Sequence, residues 1–298
     1  MAIKCAVVHA SKAHRDEFFA LGLALHTGLI QLTTPVYRRN PTEDELKDPE
    51  VLVLDVGMCH EPMLSNFDHH QFRRGTLECT LSLLAKHLFV SEGVTFHDLL
   101  EEHPWYRTAI LADTRGGDAV AREHGLQKYP IEFSSAIDQS ILEQMKEGTG
   151  VTDNAVDTLI LRVAKLVIDR RVEAAVKLKT RFVELDKKAT FIPIKNINNI
   201  QAGFNAIWFD GDNFGINAFR AKNDLKVAVS ICHAGRTEGW ALFRYDDDPR
   251  IDFSRLQGHE QINFAHVGGF LAETNERLDR EALIVLLSQA MTDQPVVT

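Results

Sequence analysis

The chain has 298 residues, 45% of them hydrophobic and 25% charged, with a net charge of -9. That length exceeds what one hydrophobic core usually organises, so two domains of ordinary globular composition are expected. The acidic balance argues against a protein that coats duplex DNA by bulk electrostatics, while leaving room for a local basic groove around one phosphate.

No segment has the apolar length of a membrane span. The opening Met1–Val8 runs straight into a strand pattern without a basic and apolar leader, so a cytoplasmic protein is expected. The four cysteines, Cys5, Cys59, Cys79 and Cys232, show no Cys-x-x-Cys spacing, which fits a reducing compartment and speaks against disulfides or structural zinc. No internal repeat or low-complexity stretch is present.

In chain order, Ile3 to Val8 is a nearly continuous apolar run ending in His9, the pattern of a strand buried on both faces that opens onto a site at its C-terminal end. His14-Arg15-Asp16-Glu17 begins a helical pattern, with Phe18, Leu21 and Leu25 spaced to face a sheet. Ile30 to Tyr37 predicts a second strand, and Asn40-Pro41-Thr42-Glu43 a turn leading into a helix. Val51 to Leu54 predicts a buried strand that delivers Asp55. A carboxylate there needs a partner, because burying an unpaired charge is strongly unfavourable.

Next come Asn66-Phe67-Asp68-His69-His70-Gln71, with two adjacent histidines behind an aspartate, and an amphipathic helix over Leu77 to His87. Tyr106 to Ala112 predicts a helical stretch leading to Asp113-Thr114-Arg115-Gly116-Gly117-Asp118, where Asp118 reads as a turn cap. Polar helix signals follow Pro130, and Gly148-Thr149-Gly150 is the clearest break before a long helix from Asp153 to about Lys188.

The remainder is strand-rich. Phe191 to Ile200, Ala206 to Phe209, and a hairpin of Leu225 to Cys232 with Trp240 to Tyr245 around Ala234–Gly239 are expected. Phe264 to Phe270 predicts a strand and glycine turn, and Glu276 to Ala290 a closing helix. The expected architecture is α/β. An N-terminal, mostly parallel sheet flanked by helices (1–150) is joined by a long helix (151–190) to a smaller α+β domain (191–298).

His9, His14, Asp16, Asp55, Asp68, His69, His70 and Asp113 all fall at ends or edges of predicted elements. Imidazole with carboxylate suits manganese or a similar divalent ion better than calcium. The set exceeds what one ion needs, so two ions bridged by one carboxylate are expected, roughly 3.5 to 4 Å apart in such sites. Paired ions at that separation suit hydrolysis of phosphoesters or phosphoanhydrides.

The order His9, His14-x-Asp16, then Asp55, Asp68-His69-His70 and Ile110-Leu111-Ala112-Asp113-Thr114 resembles the motifs of the DHH phosphoesterase superfamily, which includes RecJ-type exonucleases and manganese pyrophosphatases. With His266-Val267-Gly268-Gly269-Phe270 it is similar, more narrowly, to the melanocyte-proliferating-gene family of metal-dependent hydrolases, described as exonucleases. The resemblance covers both halves of the chain. It implies that His9, His14 and Asp55 hold one ion, that Asp16, Asp55, His69 and Asp113 hold the other, and that Asp55 bridges. Asp68 would support the ligands from behind, and His70 would face the substrate phosphate. The second domain would close over the first and contribute His266, the Gly268-Gly269 backbone, and Arg220 or Arg236. Lys12 and Arg115 are further phosphate candidates, whereas Arg73 and Arg74 read as solvated surface and Cys59-His60 as an ordinary loop.

Two stretches depart from that family: Ala10-Ser11-Lys12-Ala13 replaces an Asn-Gly-Thr-Phe-like run, and Leu271-Ala272-Glu273 replaces Ile-Gly-Gly. Both touch substrate-facing loops, so substrate class stays open while the ligand set is intact. The expected activity is a 3'-5' exonuclease acting on single-stranded RNA or DNA, for which Trp208, Phe209, Phe219 and Trp240 are stacking candidates, although each reads more strongly as a core residue. A small-nucleotide phosphatase is the alternative, and a non-catalytic metal-binding protein a third reading. A homodimer is compatible with the sequence.

Overall fold

A computed structural model describes residues 2–10, 13–73, 75–123, 141, 143–145, 155–195 and 203–292. Lys12, Arg74, the helix signals after Pro130, the Gly148–Gly150 break, the boundary at 150/151 and the far end of the 191–200 strand lie outside the described residues. The protein is mixed α/β and divides into two compact units, Met1–Lys177 and Leu178–Thr298.

In the first unit, β1 (Cys5–Val8), β2 (Val36–Arg38), β3 (Val51–Leu54), β4 (His60–Glu61) and β5 (Asn66–Phe67) form a sheet in the order β2-β1-β3-β5-β4. All neighbours are parallel except β4 on β5. The apolar runs explain the centre of this sheet: Ala6, Val7 and Val8 and all of Val51–Leu54 are buried, as strands covered on both faces require. Register does the rest. Val8 lies opposite Leu54 and Leu54 opposite Phe67, so His9, Asp55 and Asp68 leave the sheet side by side at one edge.

The helices of this unit are α1 (Arg15–His26), α2 (Glu43–Leu46), α3 (Thr80–His87), α4 (Phe96–Leu100), α5 (Pro104–Arg115) and α6 (Gly117–Glu123), with a small hairpin of β6 (Phe89–Ser91) and β7 (Val94–Thr95). α2 starts as the sequence indicates: the Thr42 hydroxyl accepts from Glu45 N–H at 3.2 Å and the Glu45 carboxylate accepts from Thr42 N–H at 2.8 Å. The strand expected over Ile30 to Tyr37 is confined to Val36–Arg38. Gly28 takes a φ of 74° and Thr34 N–H closes a turn on Gln31 C=O, so Ile30 is buried from a turn rather than a strand.

The helix α7 (Ala155–Lys188) has 34 residues. Ile160, Leu161, Ala164, Ile168, Val172 and Ala175 belong to the core of the first unit, and Leu178, Phe182 and Leu185 to a core of the second. α1 approaches it closely at Gly22.

The second unit carries β8 (Thr190–Ile194), β9 (Phe204–Trp208), β10 (Val229–His233), β11 (Trp240–Arg244), β12 (Ile262–Ala265) and β13 (Leu271–Thr274) in the order β12-β13-β11-β10-β9-β8. Only β9 and β10 pair in parallel. Side chains alternate between faces. Ala206, Ile231 and Leu242 join one core with α9 (Arg280–Gln289), while Ile207, Cys232 and Ala241 join the other with α8 (Ile216–Lys222). Of the four stacking candidates, Phe209, Phe219 and Trp240 are buried core residues, in line with their stronger reading, and half-buried Trp208 packs edge-on against Trp240 with centroids 5.4 Å apart. Among the described residues no helix is long and apolar enough to cross a membrane.

A Cβ on Gly22 would stand 2.5 Å from the Ala164 carbonyl oxygen and 2.7 Å from Ile168 Cγ1, too close for any real contact. Gly22→Ala is therefore expected to lower unfolding free energy by about 1–3 kcal/mol, despite the better helix propensity of alanine. A urea-denaturation midpoint equal to or above that of the parent would contradict this packing.

Candidate metal centre

The site is built at the edge where β1, β3 and β5 end. Asp55 follows β3 in a left-handed conformation, φ 59°, which is uncommon for a non-glycine residue and turns its carboxylate back over the sheet end. It is fully buried. His14 Nδ1 lies 2.9 Å from its Oδ2, and His69 Nε2 lies 3.3 Å from its Oδ1 and equally 3.3 Å from Asp113 Oδ2. Asp16 enters from the first turn of α1, where the helix dipole favours an acid, and Asp113 from the last turn of α5.

Three overlapping groups have ligand atoms all within 4.8 Å of one another: His14, Asp55 and His70; His14, Asp16 and Asp113; and Asp16, Asp55 and His69. His9 is in none of these groups, although its ring stacks on His14 at 4.9 Å. His70, which the resemblance turns toward the substrate, also has a ring nitrogen within 4.8 Å of ligand atoms of His14 and Asp55.

The electrostatics call for a cation. Burial drives Asp16 well above the usual carboxylate range, and neighbouring Asp55 and Asp113 push it the same way. Burial also raises Asp113, with the charge of Asp55 adding to it. Burial acts on Asp55 in the same sense, but its contacts with His14 and His69 outweigh it and hold the group below its ordinary value. Among the described residues, four buried atoms of this cluster have no hydrogen-bond partner: His9 Nδ1, Asp16 Oδ1, His69 Nε2 and Asp113 Oδ2. Buried polar atoms are nearly always paired, and a carboxylate–imidazole set with lone pairs left over matches a divalent ion. The residues present can therefore hold a metal ion.

A supporting layer orients these groups. Asp68 accepts from His70 N–H at 3.0 Å and Met58 N–H at 2.6 Å, and its Oδ1 lies 2.6 Å from His70 Nδ1. The Asp68 hydrogen bond to the imidazole raises His70 to about 8.

Three supporting residues carried no role in the sequence reading. Glu17, buried, accepts from the N–H groups of His9 at 3.1 Å and His14 at 2.9 Å and so pins both ends of the loop between them. Arg38, also buried, donates to Ala10 C=O at 3.0 Å in that loop and to Met145 C=O at 2.9 Å. Thr80 donates its N–H to Asp16 at 2.9 Å and its hydroxyl to Asp55 at 3.2 Å. Glu17 was visible only as the acid at the third helical position. Thr80 lay inside a helix expected to start at Leu77, whereas α3 starts at Thr80 itself.

The remaining candidates are placed as follows. Arg115 is exposed at the end of α5 and lines a cavity of about 420 Å³ with Tyr106, Ile110 and Leu111. Arg73 is exposed, Asp118 is exposed in the first turn of α6, and Cys59 C=O accepts from Asp68 N–H at 3.0 Å. In the second unit, His266 Nδ1 accepts from Gly268 N–H at 3.0 Å and Gly269 takes a φ of 68°, the geometry of a strand-capping turn between β12 and β13. Arg220 is held by Asp246 and stacks on Tyr245, and Arg236 stacks on Phe264 at 4.4 Å. No protein-family model matches this chain, and no curated protein matches it.

In metal-free protein, Asp68→Asn is expected to return His70 from about 8 toward its ordinary value of 6.5, read as imidazole proton shifts in a pH titration. The raised value means this pair stabilises the fold fully below about pH 6.5 and loses that effect as pH rises through about 8, so the variant flattens that stretch of the stability curve. An unchanged His70 titration in Asp68→Asn would remove Asp68 as the cause.

Proposed function

We propose that the chain is a metal-dependent phosphohydrolase of the DHH phosphoesterase type, holding two divalent ions, manganese first among them. The observation that carries this reading is the convergence of Asp16, Asp55, Asp113, His14 and His69 with four buried, hydrogen-bond-free ligand atoms among the site residues. His9, His14 and Asp55 would hold one ion, and Asp16, Asp55, His69 and Asp113 the other. Bound there, such ions supply an activated water and neutralise charge developing on phosphoryl oxygens.

The chain's own residues do the rest. Thr80 fixes the Asp55 and Asp16 carboxylates, so that their lone pairs stay turned toward the centre. Glu17 holds His9 and His14 at a set spacing through their backbone N–H groups. Asp68 engages His70 through Nδ1, which leaves Nε2 to donate a proton in a hydrogen bond to a phosphoryl oxygen.

The substrate we favour is the end of a single-stranded RNA or DNA, cleaved in the 3'-5' sense, in line with the family resemblance of the five motifs. One observation supports a second reading. Three of the four aromatic residues considered for stacking bases are core residues and Trp208 is half-buried against Trp240, which weakens the case for an extended-strand platform and favours a small-nucleotide phosphatase.

Metal-stripped protein refilled with manganese is expected to hydrolyse 5'-labelled single-stranded RNA or DNA into a ladder, and Asp55→Ala to lose at least about a hundredfold in rate. Phosphate release from 3'-phosphoadenosine 5'-phosphate alone would transfer the assignment to the phosphatase. Silence on all three substrates with manganese demonstrably bound would leave a non-catalytic metal protein.

A further inference from the structure

The second unit carries a polar pocket of about 430 Å³ at the turn joining β10 to β11, lined by His233, the loop Ala234–Gly239 and Arg277. The hairpin closes where His233 pairs with Trp240 and Ala234 N–H bonds to Gly239 C=O at 3.1 Å. The loop beyond is pinned to β13. The Thr237 hydroxyl donates to Thr274 C=O at 2.8 Å and accepts from Gly239 N–H at 3.1 Å. Gly239 passes so near this strand that a Cβ would stand 2.2 Å from Thr274 O.

This anchoring leaves donors over. Among the described residues, the backbone N–H groups of Gly235, Arg236, Thr237 and Glu238 make no hydrogen bond within the protein. Two arginines flank them, each laid on an aromatic face: Arg236 over Phe264 at 4.4 Å and Arg277 over Trp240 at 5.2 Å. Stacking fixes the plane of a guanidinium; the two side chains are 57% and 48% exposed, and Arg277 Nη2 lies 3.0 Å from His233 Nε2, so Arg236 offers the less occupied edge. Arg277 also donates to Asp210 at 3.2 Å, and Asp210 lies 2.6 Å from His233 Nε2. Against these cations the pocket wall contributes one acid, Glu238, while Glu273 stands 3.7 Å from Arg236.

We propose that this pocket binds a phosphoryl group, carried by inorganic phosphate or pyrophosphate or by a nucleotide. A tetrahedral anion with several acceptor oxygens can take the two guanidinium edges and the loop N–H groups at once, which a planar carboxylate cannot do. Arg236 is also the arginine that the resemblance offers to a substrate phosphate, while the loop N–H groups and Arg277 are new to it; the test is separate from hydrolysis, because binding is read without turnover.

The test is calorimetric titration of the full chain, dialysed against chelator, with inorganic phosphate, pyrophosphate and AMP, together with amide chemical shifts of residues 235–238. Saturable binding is expected. It should weaken about tenfold or more in Arg236→Ala and in Arg277→Ala, as the loss of a charge-assisted hydrogen bond implies, and strengthen in Glu238→Gln. Preference for AMP over the inorganic anions would identify a nucleotide as the source of the phosphoryl group, and the reverse order an inorganic anion. Absence of saturable binding for all three, or equal affinity in Arg236→Ala, would overturn the proposal. Arg236 is the more exposed of the two arginines, so its replacement decides the matter even if Arg277→Ala loses stability with its Asp210 contact.

Discussion

Two fully buried carboxylates, Asp16 and Asp55, and the half-buried Asp113 converge on one group of histidines, and the first unit is arranged around that fact. Like charges at such distances repel strongly where water is excluded, so the arrangement persists only with compensation. Within the protein the compensation is partial: histidines keep Asp55 ionised, while Asp16 and Asp113 are driven toward neutrality. A bound metal cation would remove the conflict in one step. The site would then be unfavourable as folded protein alone and favourable as a receptor, the pattern expected where binding energy is stored in a scaffold rather than in loops.

Holding such a cluster together takes a framework that does not yield. The parallel register of β1, β3 and β5 sets the row of His9, Asp55 and Asp68, and the first turns of α1 and α3 bring Asp16 and the donors of Thr80 to it. Glu17 and Arg38 work one layer further back, fastening the loop between His9 and His14 by its backbone. Both are buried, and hydrogen bonds with main-chain groups help to satisfy them. Their removal would act on the geometry of the histidines without touching a ligand atom.

Much of this was legible in the sequence, and for identifiable reasons. An unbroken apolar run such as Val51–Leu54 can only be a strand covered on both sides, so the polar residue that follows it, Asp55, had to emerge at the sheet edge. The same logic placed His9 and Asp68. The supporting residues were hidden because their roles depend on contacts distant in sequence: Thr80 meets Asp16 across 64 positions and Asp55 across 25. Trp208, Phe209, Phe219 and Trp240 kept two readings, since an aromatic residue reads alike whether it packs a core or presents a face, and three of them prove to be core. His70 took its substrate-facing role from the family resemblance, and its Nδ1 lies 2.6 Å from Asp68 Oδ1 and 3.8 Å from Asp55 Oδ1.

The long helix has a consequence of a different kind. Its 34 residues form one continuous hydrogen-bonded rod whose early turns are buried in one core and whose later turns are buried in another. Within the first unit, its turns from Ile160 to Ala175 cannot open without exposing the apolar wall of that core, so their protection follows the stability of the first core. A ligand that binds the carboxylate cluster would stabilise the folded first unit by mass action and so slow proteolysis in those turns, although they supply no ligand atom.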